Sequence, residues 1–486
     1  MKKTLFVLAG VLVVASMLLA ACQPKPTPTA APATEAATEA PTEAPTEAPT
    51  QPAAEKVQIR WFVGLGTGTN PEQIAVQEEV VKDFNASQDK IELVLEVVPH
   101  DSARDTLSTE IASGNGPDIV GPVGWKGTNF FYGQWLDLAS LIQETGYDVN
   151  QFDPGLVKAQ VTTEGQLGLP FAVFPAAVYY VPKMFDEAGL NYPPAKYGDK
   201  YVMPDGTEKP WDWNTVAEIA RLLTLDANGK NATEAGFDRN SIVQVGYVPQ
   251  WQHAMHMAGF WGAGAADFFD ADHNAIIPEP AKQAWTWYFN GIWGDQPFIA
   301  NGALAGSPEF GGGNVFNSGK AAMAVTHFWY TCCLSDFKKA GNEFQLGVLP
   351  ANPNDGQVHG RVDADTFRIW KDTQHPKEAF EVLTYLVGPA VKKLAPVYGA
   401  LPARAEDQQP FLDAKSADYP FVKSWQPLLD GLAYPDVPSA EGWMPNVNEA
   451  WDRVGAFGDL MANDGTIDLA AEIEKLRQDL DVIFKK

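Results

Sequence analysis

Lys56-Val57-Gln58-Ile59-Arg60-Trp61-Phe62-Val63-Gly64 is the stretch on which the fold turns. Val57, Ile59, Trp61 and Val63 alternate along it, the two-residue period of a strand, and a glycine-rich turn follows. Pro71 to Asn85 carries Ile74, Val76, Val80, Val81 and Phe84 at a mostly helical spacing. Lys90 to Val98 reads as a second strand, Asp101 to Ser113 as a second helix, and Pro117-Asp118-Ile119-Val120 as a third, short strand. That alternation predicts a parallel sheet with helices on both faces. Sheets of this kind bind ligands beyond the carboxyl ends of their strands, which singles out Gly64 to Thr69 and Gly121 to Trp125.

Farther along, Gly165 to Val181 is apolar and extended, with Pro170 and Pro175 inside it, as a segment crossing between two domains would be. Helices are expected over Lys183 to Ala188, Asn214 to Leu223, from Trp251 onward, and over Ala281 to Phe289, Pro376 to Val387 and Leu469 to Phe484. Ser241 to Val248 and Lys320 to Val325 read as strands, and Phe344 to Pro350 as another crossing.

The amino terminus has a different character. Lys2 and Lys3 precede an apolar run, Leu5 to Ala15, of signal-peptide length and too short to span a bilayer comfortably. Leu18-Leu19-Ala20-Ala21-Cys22 follows, with small residues for a peptidase and a thiol for acylation, and resembles the bacterial lipobox. Residues 1–21 are therefore expected to be a signal peptide, and Cys22 a lipid attachment point. Two acyl chains there give stable membrane binding. Residues up to 56 are rich in Pro, Thr, Ala and Glu, with Thr-Glu-Ala-Pro twice over Thr42 to Pro49. Such a segment buries no core and reads as a disordered linker reaching roughly 100 Å at about 3.1 Å per residue.

The formal charge is −26, and −28 once Lys2 and Lys3 leave with the signal peptide. That argues against a nucleic-acid face and disfavours anionic ligands. About 430 residues from Val57 onward are too many for one core, so two domains are expected. Fifteen Trp and fourteen Tyr are enough to fill cores and still supply a cleft. With Cys22 lipidated, the adjacent Cys332 and Cys333 remain, either as a vicinal disulfide or as two buried thiols.

Several segments, in order and spacing, resemble the extracellular solute-binding proteins of ABC importers, in the sugar-binding branch that includes maltose-binding protein. They are Ile111 to Ile119, Leu169 to Ala172 leading into Tyr179 to Leu190, Trp213 to Ala220, Phe316 to Val325, His375 to Phe380, and Tyr398 to Arg404. Pro182 stands where the family usually has Asn, and His327 to Tyr330 runs on into the two cysteines, so no particular sugar is carried over. The resemblance implies an α/β, two-lobe periplasmic-binding-protein-like fold, each lobe a mostly parallel sheet flanked by helices, with a ligand cleft between. Lobe 1 would hold residues 57–171 and 352–390, lobe 2 residues 172–351 and 391–486. It implies a monomer that captures a sugar and delivers it to ABC transporter permease subunits at the extracellular face of the cell membrane, without cofactor or catalysis.

A sugar site needs flat aromatic faces and planar polar side chains. The resemblance puts cleft positions at Trp125, Trp251, Trp329 and Trp443. Trp125 is flanked by glycines, Trp251 follows Pro249-Gln250, Trp329 follows a strand, and Trp443 lies in a Pro- and Gly-rich loop. Trp61 lies within a strand and reads as core. Asp363 and Asp365 are the carboxylates expected to accept from hydroxyls, and Gly66 and Thr67 the loop residues beside them. Gly64-x-Gly66-x-Gly68 lacks a phosphate loop's lysine. No metal site is expected: His253 and His256 want a third ligand, and Asp226-x-Asn228-Gly229 and Asp270-x-Asp272-x-Asn274 lack the Glu that completes a calcium loop. Two alternatives stand beside the sugar binder. A carbohydrate-active enzyme would need a carboxylate pair flanking one bond, and no segment couples such a pair to strand ends; a non-sugar solute is the other.

Overall fold

The computed structural model describes residues 56–435 and 439–486; the signal peptide, Cys22 and the linker lie outside the described residues. The frame is a ten-stranded sheet. β1 (Val57–Val63), α1 (Pro71–Ser87), β2 (Ile91–Val97), α2 (His100–Ala112) and β3 (Ile119–Val123) follow the alternation expected from the sequence, and β1 pairs in parallel with both β2 and β3. Trp61 is fully buried and its indole donates to the Gly121 carbonyl at 2.7 Å, so it is a core residue. After β3 the chain turns at once into α3 (Trp125–Phe130), a helix where the sequence suggests only a loop.

β4 (Leu169–Tyr180) is the spine. All twelve of its residues are buried, and both of its edges are paired. Later strands supply that pairing: β5 (Leu225–Asp226), β6 (Ile242–Val248), β7 (Ala321–His327), β8 (Gln345–Gly347), β9 (Val362–Ile369) and β10 (Leu401–Pro402). Leu169 to Pro175 pair with β9, and Ala172 and Val173 also with β10; Ala176 to Tyr180 pair with β7, and Val178 to Tyr180 also with β8. The strand order is β2-β1-β3-β9-β4-β7-β6-β5, with β8 and β10 also on β4. Each lobe thus has a parallel nucleus, β2-β1-β3 in one and β6-β7 in the other, joined through antiparallel strands that share β4. Pro170 lacks the N–H a ladder needs, and the register shifts beside it, between Asp365 and Thr366. Bulges of this kind re-aim side chains.

Outside the sheet, α4 (Trp213–Leu223) is capped by Asp212, whose side chain accepts from the Thr215 N–H at 2.8 Å, and buries Trp213, Val216, Ile219 and Leu223. Each such side chain stabilises by roughly 1.5–3 kcal/mol. The helix expected from Trp251 starts only at α5 (Ala254–Gly259), because Trp251 sits in the left-handed region at φ +57°. α6 (Glu279–Trp293), α7 (Pro376–Leu386), α8 (Val391–Tyr398), α9 (Val447–Asn463) and α10 (Leu469–Phe484) complete the helices used below. Residues 391–402, expected with lobe 2, lie on α1 and beside the first half of β4: Gln77 donates to the Tyr398 hydroxyl at 2.8 Å, and β10 pairs at Ala172 and Val173. The two calcium-like acidic stretches are turns closed on their own backbone, Asp226 accepting from Asn228 and Lys230 and Asp270 from Asp272 and Asn274.

Candidate ligand cleft

One wall is built by the ends of β6 and β7. β7 stops at His327 and runs into a short 3-10 turn, Phe328–Cys333. His327, Trp329 and Trp251 stack in a column, with ring centroids 5.6 and 5.9 Å apart and planes within 17° and 16°. Tyr330 meets Trp251 edge-on at 5.5 Å. Trp251 is 42% exposed, so Trp329 covers one indole face while the ring as a whole stays open.

Polar groups lock that column. The Trp329 indole donates to Asp363 Oδ2 at 3.1 Å, and Arg361 donates to Asp363 Oδ1 at 2.7 Å and to Gln252 Oε1 at 2.8 Å. Arg361 is 1% exposed and lies over the Phe260 ring. Glu441, in the loop before α9, accepts from His256 Nε2 at 2.9 Å and from the Lys126 backbone N–H at 3.3 Å, and its carboxylate is 3.7 Å from Arg361. His256 Nδ1 accepts from the His253 N–H at 3.3 Å, so the proton of the neutral ring is on Nε2. Burial, then the positive charge of Arg361, holds His256 well below its ordinary pKa. Burial likewise pushes His253 and His327 down to about 4. The imidazoles here are neutral hydrogen-bonding groups at physiological pH.

α3 starts beside Asp365. Its N-cap, Gly124, is where backbone and carboxylate approach: a Cβ there would stand 3.1 Å from Asp365 Oδ1. Trp125, the first helical residue, is partly exposed and makes no ring contact or side-chain hydrogen bond with any described residue. The Asp365 carboxyl group has no hydrogen-bond partner among the described residues either. Burial first, then the carboxylates of Asp363 and Glu441, push it up to about 8. Lys126 lies 4.9 Å over the Trp451 ring, tying α3 to α9.

The structure therefore brings Trp251, Trp329, Asp363 and Asp365 together, with Trp125 beside Asp365. Gly66 is held close to the Pro122 carbonyl, and the Thr67 hydroxyl accepts from Gln73 at 3.3 Å. Trp443 lies apart from the column, 5.9 Å from Phe269 and 6.2 Å from Tyr132. Cys332 and Cys333 are joined as a disulfide, and Asn70, the N-cap of α1, reaches Cys333 Sγ at 3.9 Å. Glu441, Arg361, Gln252, His256, Lys126 and Trp451 are not singled out as ligand contacts by the sequence. Only the unusual density of charged and imidazole groups near tryptophans hints at them.

The sequence model for bacterial extracellular solute-binding proteins matches residues 69–393. The chain belongs to this family. A protein of Brucella abortus (strain 2308), named as a binding protein, is 24% identical over 381 residues, covering 75% of this solute-binding protein and 80% of its own length. Among solved structures, an ABC substrate-binding protein from Listeria monocytogenes in complex with cycloalternan superposes with a TM-score of 0.67 at 20% identity, covering 88% of this chain and 99% of its own. The MalE domain from Bdellovibrio bacteriovorus bound to maltotriose gives 0.64 at 18%, covering 88% and 100%. UgpB from Mycobacterium tuberculosis in complex with glycerophosphocholine gives 0.64 at 17%, covering 89% and 99%. The solute-binding protein shares their two-lobe fold.

Proposed function

We propose that this solute-binding protein captures a sugar or oligosaccharide between Trp125 and the Trp251–Trp329 stack and hands it to the permease subunits of an ABC transporter. A lipid on Cys22 would hold it at the outer face of the cell membrane as a monomer. The observation that carries the ligand class is the open indole stack whose N–H is tied to Asp363, with the unpartnered Asp365 nearby. A pyranose needs that pairing of a flat apolar face with carboxyl groups that exchange hydrogen bonds with its hydroxyls. The neighbours bound to cycloalternan and maltotriose support the same reading. The anchor is supported by the apolar run Leu5 to Ala15 ending in Ala20-Ala21-Cys22.

Titration calorimetry with mono- and oligosaccharides, run beside product analysis, tests the ligand class. Stoichiometric heat without product is expected. Turnover would make the protein an enzyme. Binding of a phosphodiester or cationic solute, with every saccharide silent, would replace the sugar reading. Cys22→Ser should release the protein from membranes or leave it unprocessed, and unchanged processing with membrane retention would remove the anchor.

A further inference from the structure

We infer that the last part of the linker docks back on the protein, with Pro49-Thr50-Gln51-Pro52 seated in an aromatic groove at the amino end of β1. This is independent of which solute the cleft holds. The groove has a volume of about 520 Å³, and Phe84, Gln88, Tyr147, Tyr385, Pro389 and Arg404 are among its lining residues. Phe84 is buried near the end of α1, Tyr147 and Tyr385 are half-buried, and Pro389 is exposed. Both tyrosines are braced. Tyr385 packs on Phe84 with ring centroids 4.9 Å apart and donates its hydroxyl to the Val80 carbonyl at 3.3 Å. Tyr147 meets Phe380 edge-on at 6.0 Å. Rings already held in place need little further ordering when something docks on them.

The occupant follows from where the chain enters the fold. The Val57 N–H donates to the Lys90 carbonyl at 2.9 Å, and Lys56 donates to the Gln88 carbonyl at 3.4 Å. The residues before Lys56 therefore leave the fold at the rim of this groove. Phe84 is one helical turn, about 6 Å, from Gln88. Pro52 precedes Lys56 by four residues, a reach of about 12 Å in an extended polyproline form. The sequence there suits the groove. A polyproline II helix has three residues per turn, so Pro49 and Pro52 share one face about 9 Å apart. The repeats before them place Pro41, Pro45 and Pro49 four apart, which drifts off that face. Aromatic-lined grooves bind P-x-x-P segments because the preformed helix loses little entropy on docking. The groove lies at the amino end of β1, whereas Gly64 to Thr69 and Trp125 follow the carboxyl ends of β1 and β3. Seven strand residues put roughly 23 Å between the two ends, so a docked linker leaves the cleft open. The free tether then shrinks to residues 23–48, roughly 80 Å at about 3.1 Å per residue.

The linker supplies its own control. Thr-Glu-Ala-Pro stands at Thr38 to Pro41 and again at Thr46 to Pro49, so a glutamate-specific protease meets the same four residues at both. The test is the rate of cutting after Glu39 and after Glu47 in the purified, full-length mature chain. Cutting tracks the open population, so a segment docked about nine-tenths of the time should be cut about tenfold more slowly after Glu47. Pro52→Ala changes neither cleavage site nor any residue of the folded part, and should bring the two rates together. Tyr147→Ala removes one wall of the groove and should do the same. Equal rates in the wild type would overturn the proposal. So would a slow cut after Glu47 that survives both variants, since the nearby fold alone would then be shielding that bond. Protection that falls on dilution would put the linker of a second copy in the groove, and would overturn docking within one chain.

Discussion

The two walls of the cleft are made differently. Trp251 and Trp329 stand in a column with His327, tied through Asp363 to the buried Arg361, and are ordered by the protein itself. Trp125, placed facing them in the proposed cleft, begins a six-residue helix and touches no other described ring. An aromatic that a ligand must immobilise costs roughly 0.5–1.5 kcal/mol in lost freedom; one already stacked does not. The lesson is that, in the proposed cleft, one aromatic group is packed into the fold and the other is free of ring contacts with described residues. Changes in the first should move both stability and affinity, changes in the second affinity alone.

The strongest way to break that contrast is Arg361→Ala. It strips the buried partner from Asp363 and Glu441. Leaving such a pair half-made costs roughly 3–5 kcal/mol, so denaturant unfolding should show a large loss. A loss below about 1 kcal/mol, the scale of a surface pair, would mean that the column is not held from behind.

Asp365 comes next. Its pKa of about 8 lies above the ordinary 3.8, so the folded protein keeps a proton the unfolded chain has given up. On this account stability falls as pH rises from about 4 to about 8 and is level above that. At about 1.4 kcal/mol per unit, the whole effect is on the order of a few kcal/mol. Asp365→Asn keeps the shape without the charge. Its melting temperature should match the wild type near pH 4 and exceed it near pH 9. A constant difference across that range would show that Asp365 does not titrate as its burial implies.

A matched pair of tryptophan variants measures the contrast directly. Trp329→Ala and Trp125→Ala should each weaken saccharide binding by roughly 1–3 kcal/mol, by analogy with stacking on nucleic-acid bases. Only Trp329→Ala should also lower unfolding stability by more than about 0.5 kcal/mol, the usual limit for a substitution outside packed features. Equal losses of stability in both variants would erase the difference between the walls.

Much of the frame is legible in the sequence because burial, on one face or on both, writes a pattern into it. β1 to β3, the apolar run that becomes β4 and the amphipathic Leu469–Phe484 are all of this kind. The aromatic half of the cleft is legible too, since Trp329 follows an apolar strand and Trp125 stands among glycines. The polar half is not. Arg361, Asp363, Glu441 and His256 lie far apart along the chain and meet only in three dimensions, and nothing local marks Glu441 as the acceptor of a neutral imidazole. α3 escapes notice because six residues containing Gly127 are too few to display a period. Trp251 is misplaced by its left-handed backbone, which starts α5 three residues later than composition suggests.

The smallest expected effect concerns how the walls meet. Arg104 on α2 donates to both oxygens of Asp452 on α9, at 2.9 and 3.2 Å, and lies 5.1 Å over the Phe130 ring. The pair therefore bridges the helices behind the two walls, and it forms only when they are this close. Both groups are well exposed, and pairs of that kind contribute roughly 0.2–1 kcal/mol. Removing the charge with Asp452→Asn should leave every cleft residue in place and weaken ligand binding by no more than about fivefold, which is that energy expressed as an equilibrium. Because the Debye length shrinks to about 3 Å at 1 M salt, the wild type and the variant should converge there. Were the difference to persist at high salt, the lost contribution would be packing of Arg104 on Phe130, and Arg104→Lys, which keeps the charge but loses the planar guanidinium, would then reproduce it.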